Sequence, residues 1–291
     1  AQDGGQTLTT RMSLIIFSHA NSFPASTYRL LFKSLRARGH TVRGIEKFGH
    51  DPAYPVTDNW PWLAKQLHVF AADQCAQAGQ GAWLVGHSLG GILSVMVAAR
   101  HPVLGGHAVR GVVLLDSPMI GGWKAQALRV GKAAGMAGRF SPGKVSIKRR
   151  WHWPSREDAL TFFQGKRAFA AWHPQMLQDY VDHGLEPMPG APTGKTPVQL
   201  SFRREVETDI YNMLPDNLDS LLRRHPLRCP LAYIGGTRSH EGRQVGMDLT
   251  RKLAGKQIFW VEGSHLYPME QPLETAAALE RALAALSSPS S

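Results

Sequence analysis

Cysteine is nearly absent from this chain of 291 residues, which carries only Cys75 and Cys229. Two thiols so far apart match neither a metal-ligand nor a redox spacing, which excludes a disulfide-stapled scaffold, a zinc module and a dithiol active site. That usage leads to the expectation of a reducing, cytoplasmic compartment, with one long-range disulfide as the alternative. Long apolar runs are also missing. None reaches the roughly 18 residues of a membrane-spanning helix, and Ala1-Gln2-Asp3-Gly4-Gly5-Gln6 lacks the basic-then-apolar layout of a secretory leader. A soluble protein is therefore expected, although the chain starts without Met and its beginning is open to trimming. Acidic residues are few, 22 against 33 Lys and Arg, for a net charge of +11. The excess is local: residues 117–166 hold ten basic and two acidic side chains. No zinc-finger spacing and no aromatic-glycine RNA-binding pattern accompanies it, so nucleic acid is not expected as a partner. The run Lys148-Arg149-Arg150 reads as a solvated face. Its functional alternative is a site for a substrate carboxylate or phosphate, or a weak contact with an anionic lipid surface.

What is present is a chain 43% hydrophobic and long enough for one large α/β domain with an insertion. β-rich runs at Met12–Ser18, Thr41–Ile45, Ala82–His87, Gly111–Asp116, Leu231–Gly235 and Gln257–Val261 alternate with helical periodicity at Ser26–Arg38, Pro61–Ala78, Leu89–Arg100, Gly242–Leu253 and Pro272–Leu286. This order predicts a mostly parallel sheet flanked by helices. Residues 117–225 break the rhythm with Trp, Arg, Gly and Pro and with helix-like pieces at Ser155–Ala171 and Pro174–Val181. They read as a helical cap inserted into a core formed by residues 1–116 and 226–291. The tryptophans Trp123, Trp151, Trp153 and Trp172 are expected to anchor its helices more than to touch ligand. No repeat is evident, and the Ser-rich tail after Leu286 is expected to fray.

The sharpest signal is Gly86-His87-Ser88-Leu89-Gly90, where the apolar run Ala82–Val85 ends and the helical run begins. A serine nucleophile needs an exposed, sharp strand-to-helix turn, and flanking glycines accept the strained backbone and the close passage of strand and helix. The bland alternative is a turn serine capping a helix. Three further elements join it: His19-Ala20-Asn21-Ser22-Phe23-Pro24, Leu115-Asp116-Ser117-Pro118 and Gly263-Ser264-His265. With these the chain resembles the α/β-hydrolase family, in its serine esterase and lipase-like branch with a cap, over nearly its whole length. Family members usually begin with an extra antiparallel hairpin. Only about eleven residues precede the first strong strand here, so that edge should be shortened or missing.

The resemblance implies an α/β-hydrolase fold and a Ser–His–acid site. Ser88 would attack, and His265, a short loop beyond the last strand, would be the base, since an ordinary imidazole titrates near ambient pH. His265, Glu270 and Pro272 match a frequent family pattern. His87 is expected to be a packed or hydrogen-bonded turn residue, and His19 to brace the oxyanion loop. Family members mostly place the acid after the penultimate strand, where this chain has Ser239. Two candidates remain: Asp116, at a strand end that some relatives use, is favoured as the acid, with Glu241, two residues past the expected position, as the alternative and a water-assisted dyad behind them. The Leu89 N–H and the Asn21 N–H, or else those of Ser22 or Phe23, would hold the oxyanion. No metal or organic cofactor is implied. The expected activity is carboxylic ester cleavage through an acyl-enzyme, on a small-molecule or lipid-like ester. Ser88 argues against epoxide hydrolases and dehalogenases, which need Asp at that position. Amidase, thioesterase, lactonase, carbon–carbon hydrolase, perhydrolase and acyltransferase activities would look alike, and a non-catalytic ligand- or membrane-binding protein is the rival from another class. Acyl and alcohol identity and oligomeric state are not legible.

Overall fold

The computed structural model describes residues 12–134, 143–190 and 196–288, without the Trp123 side chain. The expectations for the N-terminal leader region and for the end of the Ser-rich tail concern residues outside the described ones. Among the described residues eleven strands are formed: β1 (Leu14–Ser18), β2 (Thr41–Gly44), β3 (Ala82–His87), β4 (Val103–Leu104), β5 (His107–Ala108), β6 (Gly111–Leu115), β7 (His152–Trp153), β8 (Leu185–Pro187), β9 (Val198–Leu200), β10 (Leu231–Gly236) and β11 (Ile258–Val261). Six make one sheet in the order β11-β10-β6-β3-β1-β2, and every pairing in it is parallel. This is the parallel sheet flanked by helices that the alternation of strand and helix patterns predicts, in the α/β-hydrolase arrangement that the resemblance implies. β2 is one edge, so among the described residues no antiparallel hairpin extends the sheet on that side.

The central strands β1, β3 and β6 are buried along their whole length. Burial on both faces explains why they read as continuous apolar runs and not as alternating ones. Their side chains still divide by parity. Ile15, Phe17, Trp83 and Val85 join the core under the Arg29–Ala37 and Pro272–Ser287 helices. Leu14, Ile16 and Leu84 join the core under the Pro61–Ala78 and Leu89–Arg100 helices. A parallel sheet needs such cover on each face, since its strands carry no polar side.

Residues 117–225 lie between β6 and β10 and form helices at Gly122–Ala133, Arg156–Gln164, Pro174–His183, Arg204–Asn212 and Leu218–Arg224, with a small antiparallel sheet in the order β7-β9-β8. Ser155 caps the second of these helices by accepting from the Asp158 amide at 3.1 Å. Trp153 and Trp172 are buried. Trp172 packs its ring 5.9 Å from Tyr180 and 5.4 Å from Phe23, which lies in the loop after β1. These aromatics are continuous with the core on the Ile15 side of the sheet, and aromatic burial of this kind dominates such contacts. Two sequence-based helices are interrupted. Ser26–Arg38 begins as a 3-10 turn at Ala25–Tyr28, and Gly242–Leu253 splits at Gly246, whose φ of 86° ends one helix before another starts at Asp248. Cys75 and Cys229 are free thiols. Among the described residues no helix is long and apolar enough to cross a membrane.

Candidate active site

Ser88 sits between β3 and the Leu89–Arg100 helix with φ 52° and ψ −113°, a backbone conformation that a residue with a Cβ adopts only when its surroundings enforce it. Two glycines supply the enforcement. A Cβ on Gly86 would lie 2.1 Å from the Gly90 carbonyl carbon, and a Cβ on Gly90 would lie 2.0 Å from the Ser18 carbonyl oxygen. Helix and strands therefore meet at a separation open only to glycine. The Ser88 amide donates to the Leu115 carbonyl at 3.0 Å, which ties the turn to the neighbouring strand.

That neighbouring strand ends at Asp116, also at positive φ (42°) and 1% exposed. Its Oδ1 accepts from the Tyr233 hydroxyl at 2.9 Å and the Gly236 amide at 3.1 Å. Its Oδ2 accepts from the Ser239 hydroxyl at 2.5 Å and from His265 Nδ1 at 2.6 Å. Burial pushes this carboxyl up, but the donors, His265 first and then Ser239 and the Gly236 amide, outweigh it and hold the group below the usual carboxylate range. His265 Nε2 lies 3.0 Å from Ser88 Oγ. With Nδ1–H directed at the carboxylate, a neutral ring presents a bare Nε2 to the hydroxyl. The loop bearing His265 is set by Glu270, which accepts from the Ser264 amide at 3.0 Å and from the Ser264 hydroxyl, and by the Tyr267 hydroxyl, which donates to the Ile234 carbonyl at 2.9 Å.

The structure thus brings Ser88, His265 and Asp116 into one hydrogen-bonded series beyond the carboxyl ends of β3, β11 and β6, where sites of open α/β sheets form. Glu241 lies near it, 3.4 Å from the Ser239 hydroxyl, without a hydrogen bond to His265 among the described residues. Ser239 fills the place where the resemblance suggested an acid, and its hydroxyl serves Asp116. Asp116, Glu241 and His265 offer ligand atoms within 4.8 Å of one another. A cation there would have to displace the His265–Asp116 bond, so the donor set fits a proton path better than a metal.

Two further histidines are buried. His19 Nδ1 donates to the Ala20 carbonyl at 2.7 Å and its Nε2 accepts from the Phe48 amide at 2.9 Å, while burial lowers its pKa to about 4. It is therefore a neutral brace of the loop after β1. His87 Nε2 donates to the His265 carbonyl at 2.9 Å and Nδ1 accepts from the Tyr28 hydroxyl at 2.8 Å. That hydroxyl accepts in turn from the Ala20 amide at 3.1 Å. Burial, reinforced by the charge of His265, takes His87 down to about 3. One neutral relay so joins the loop of Asn21 to the loop of His265. Nothing local in the sequence marks Tyr28 or Ser239 for these contacts, because both partners arrive through tertiary packing.

Ser88, Leu89, Asn21 and His265 open onto a cavity of about 260 Å³. Its walls are mostly apolar, with Trp60, Ile92, Ile120, Ile210 and Leu214, and its polar groups are Tyr211, Glu241 and Gln244. Burial raises the Tyr211 hydroxyl to about 12, so it is a proton-bearing donor. Of the basic run, Arg149 faces inward, its Nε 3.2 Å from the Glu207 carboxylate, and Arg150 lies over the Trp153 and Phe162 rings at 5.6 and 5.3 Å. The solvated-face reading holds for exposed Lys148 and fails for Arg149, because an ion pair from a distant helix turns it in.

A parallel sheet with a serine elbow, an imidazole and a carboxylate at its carboxyl edge defines the α/β-hydrolase class. The chain belongs to the alpha/beta hydrolase family, whose model matches residues 15–278. Among solved structures it is similar to E-2-(acetamidomethylene)succinate hydrolase, with 21% identity, a TM-score of 0.66 and coverage of 94% of this chain and 91% of that one. It is also similar to the peroxisomal α/β-hydrolase Lpx1 of Saccharomyces cerevisiae, at 15% identity, TM-score 0.68 and coverage of 97% and 80%. An esterase of M. tuberculosis aligns at 18% identity, TM-score 0.63 and coverage of 94% and 86%. At these identities the likeness is one of fold. No curated protein matches the chain by sequence.

Proposed function

We propose that this protein is a serine hydrolase of small carboxylic esters working through an acyl-enzyme, with residues 117–225 as its cap. The observation that carries the reading is the Ser88–His265–Asp116 series at 3.0 and 2.6 Å, opening on an apolar cavity. Ser88 Oγ attacks the ester carbonyl carbon while its proton passes to His265 Nε2. Asp116 holds the ring in the required tautomer and stabilises the imidazolium. The oxyanion is received by the Leu89 N–H, in the first helical turn where amides have no intrahelical acceptor, and by the Asn21 N–H. Collapse breaks the bond to the alkoxy oxygen, which leaves as the alcohol with the proton from His265. Water then adds to the Ser88 ester, giving one proton to His265, and the acid departs as that proton returns to Ser88.

A fluorophosphonate probe is expected to label the wild type and not Ser88→Ala. Absence of labelling in folded wild-type protein would favour a binding protein instead. The cavity falls just below the ~300–1,000 Å³ of typical small-molecule pockets. In a panel of p-nitrophenyl esters, kcat/KM should accordingly be highest for short acyl chains and fall steeply by the long ones, and a maximum at palmitate would overturn the small-substrate reading.

A further inference from the structure

The loop after β1 is held by two different parts of the molecule. Its first half is fastened to the core: His19 bonds the Phe48 amide and the Ala20 amide bonds Tyr28. Its second half is fastened to residues from 117–225. The Asn21 side-chain amide donates to the Glu207 backbone carbonyl at 3.1 Å, and Phe23 packs on Trp172 and Tyr180. Ser22 needs such support, since it is a buried non-glycine residue at φ 80°, a conformation that persists only where neighbours over-determine it.

Resting on the ester-hydrolase reading above, we infer that Glu207, on the Arg204–Asn212 helix, positions the oxyanion hole through its backbone carbonyl, and that the hole is complete only while that cap helix is docked on residues 21–23. Glu207 is 5% exposed, and the Arg149 guanidinium 3.2 Å away neutralises it. Burial still pushes its carboxyl up, with Arg149 and Ser22 pulling the other way. The pairing matters to the chemistry as well as to the fold. An unpaired carboxylate behind a hole built for developing negative charge would oppose the transition state, and Arg149 cancels that field. On this geometry the cap is part of the hole. A lid that merely uncovers a finished site would not reach behind the loop.

The test compares Asn21→Ala with Asn21→Gln on a p-nitrophenyl ester. The alanine variant keeps the backbone N–H but loses the side-chain bond to the Glu207 carbonyl, and should drop kcat about 100-fold, the scale of a small misplacement of reacting groups, with KM changed less than threefold. Affinity for a trifluoromethyl ketone, which forms the tetrahedral oxyanion, should fall in parallel. Glutamine keeps an amide donor for that carbonyl and should restore at least a tenth of wild-type kcat. Should Asn21→Ala fail to fold, Phe23→Leu removes the ring contacts with Trp172 and Tyr180 from the same half of the loop and is read in the same way. Unchanged kcat in an active enzyme, or a loss shared equally by KM and ketone-independent ligand binding, overturns the positioning role alone. A folded wild type with neither turnover nor labelling overturns the hydrolase reading and this inference with it.

Discussion

Asp116→Asn is expected to lower kcat for ester hydrolysis about 10⁴-fold, the scale seen when the acid of a serine triad is made neutral and the imidazole takes the wrong tautomer. The amide can accept from only one oxygen, yet Asp116 takes donors on both: Tyr233 and Gly236 on one, Ser239 and His265 on the other. Its NH₂ group would face donors, and the ring would lose the charge that stabilises the imidazolium. Glu241→Gln should cost less than tenfold, since Glu241 touches Ser239 at 3.4 Å and makes no hydrogen bond to His265. Steady-state kinetics on both variants decides between the two acids. A larger loss in Glu241→Gln would reverse the assignment.

Mild acid should destabilise this protein before most of its carboxylates titrate. His19 and His87 are held neutral by burial, with pKa values lowered from 6.5 to about 4 and about 3. In the unfolded chain both take up protons near pH 6.5. The sign follows from linkage: below that value the unfolded state binds more protons, so stability falls as pH falls toward the folded pKa values and is fully present above 6.5. At about 1.4 kcal/mol per pH unit, His19 alone accounts for a loss on the order of 3 kcal/mol by pH 4. His87 acts in the same direction over a slightly wider window. Asp116, whose pKa is depressed by its donors, adds a further loss once pH falls below its unfolded value. Set against the ~5–15 kcal/mol of a typical domain, the sum is large. Urea midpoints should therefore hold between pH 7.5 and 6.5 and decline from there to pH 4, and a flat profile between pH 6.5 and 4.5 would show that the two imidazoles are not buried neutral.

Much of the framework could be read from local pattern. All six strands of the main sheet lie within two residues of the β-rich runs, most plainly β1, β3, β6 and β10, whose burial along their whole length makes them read as near-continuous apolar segments. Ser88 is legible because its chemistry and its backbone strain leave a mark within five residues. His265 follows from its place after the last strand. The choice between Asp116 and Glu241 stayed open in the sequence because it depends on which strands are neighbours. Only the adjacency of β6 and β10 sets the Ser239 hydroxyl on Asp116. The interior use of Arg149 was illegible for the same reason. Its partner Glu207 lies 58 residues away, and a charged triplet read in isolation looks like solvent-facing surface.

Ser88 and His265 are 177 residues apart. On a ribosome, the hydroxyl and its turn would emerge long before the imidazole exists, so under the proposed mechanism the growing polypeptide is chemically silent whatever native structure it has gained. Parallel strands also pair late, since distant segments must first be brought together. Turnover during refolding should consequently trail the recovery of helical signal, which makes ester hydrolysis a reporter of final assembly.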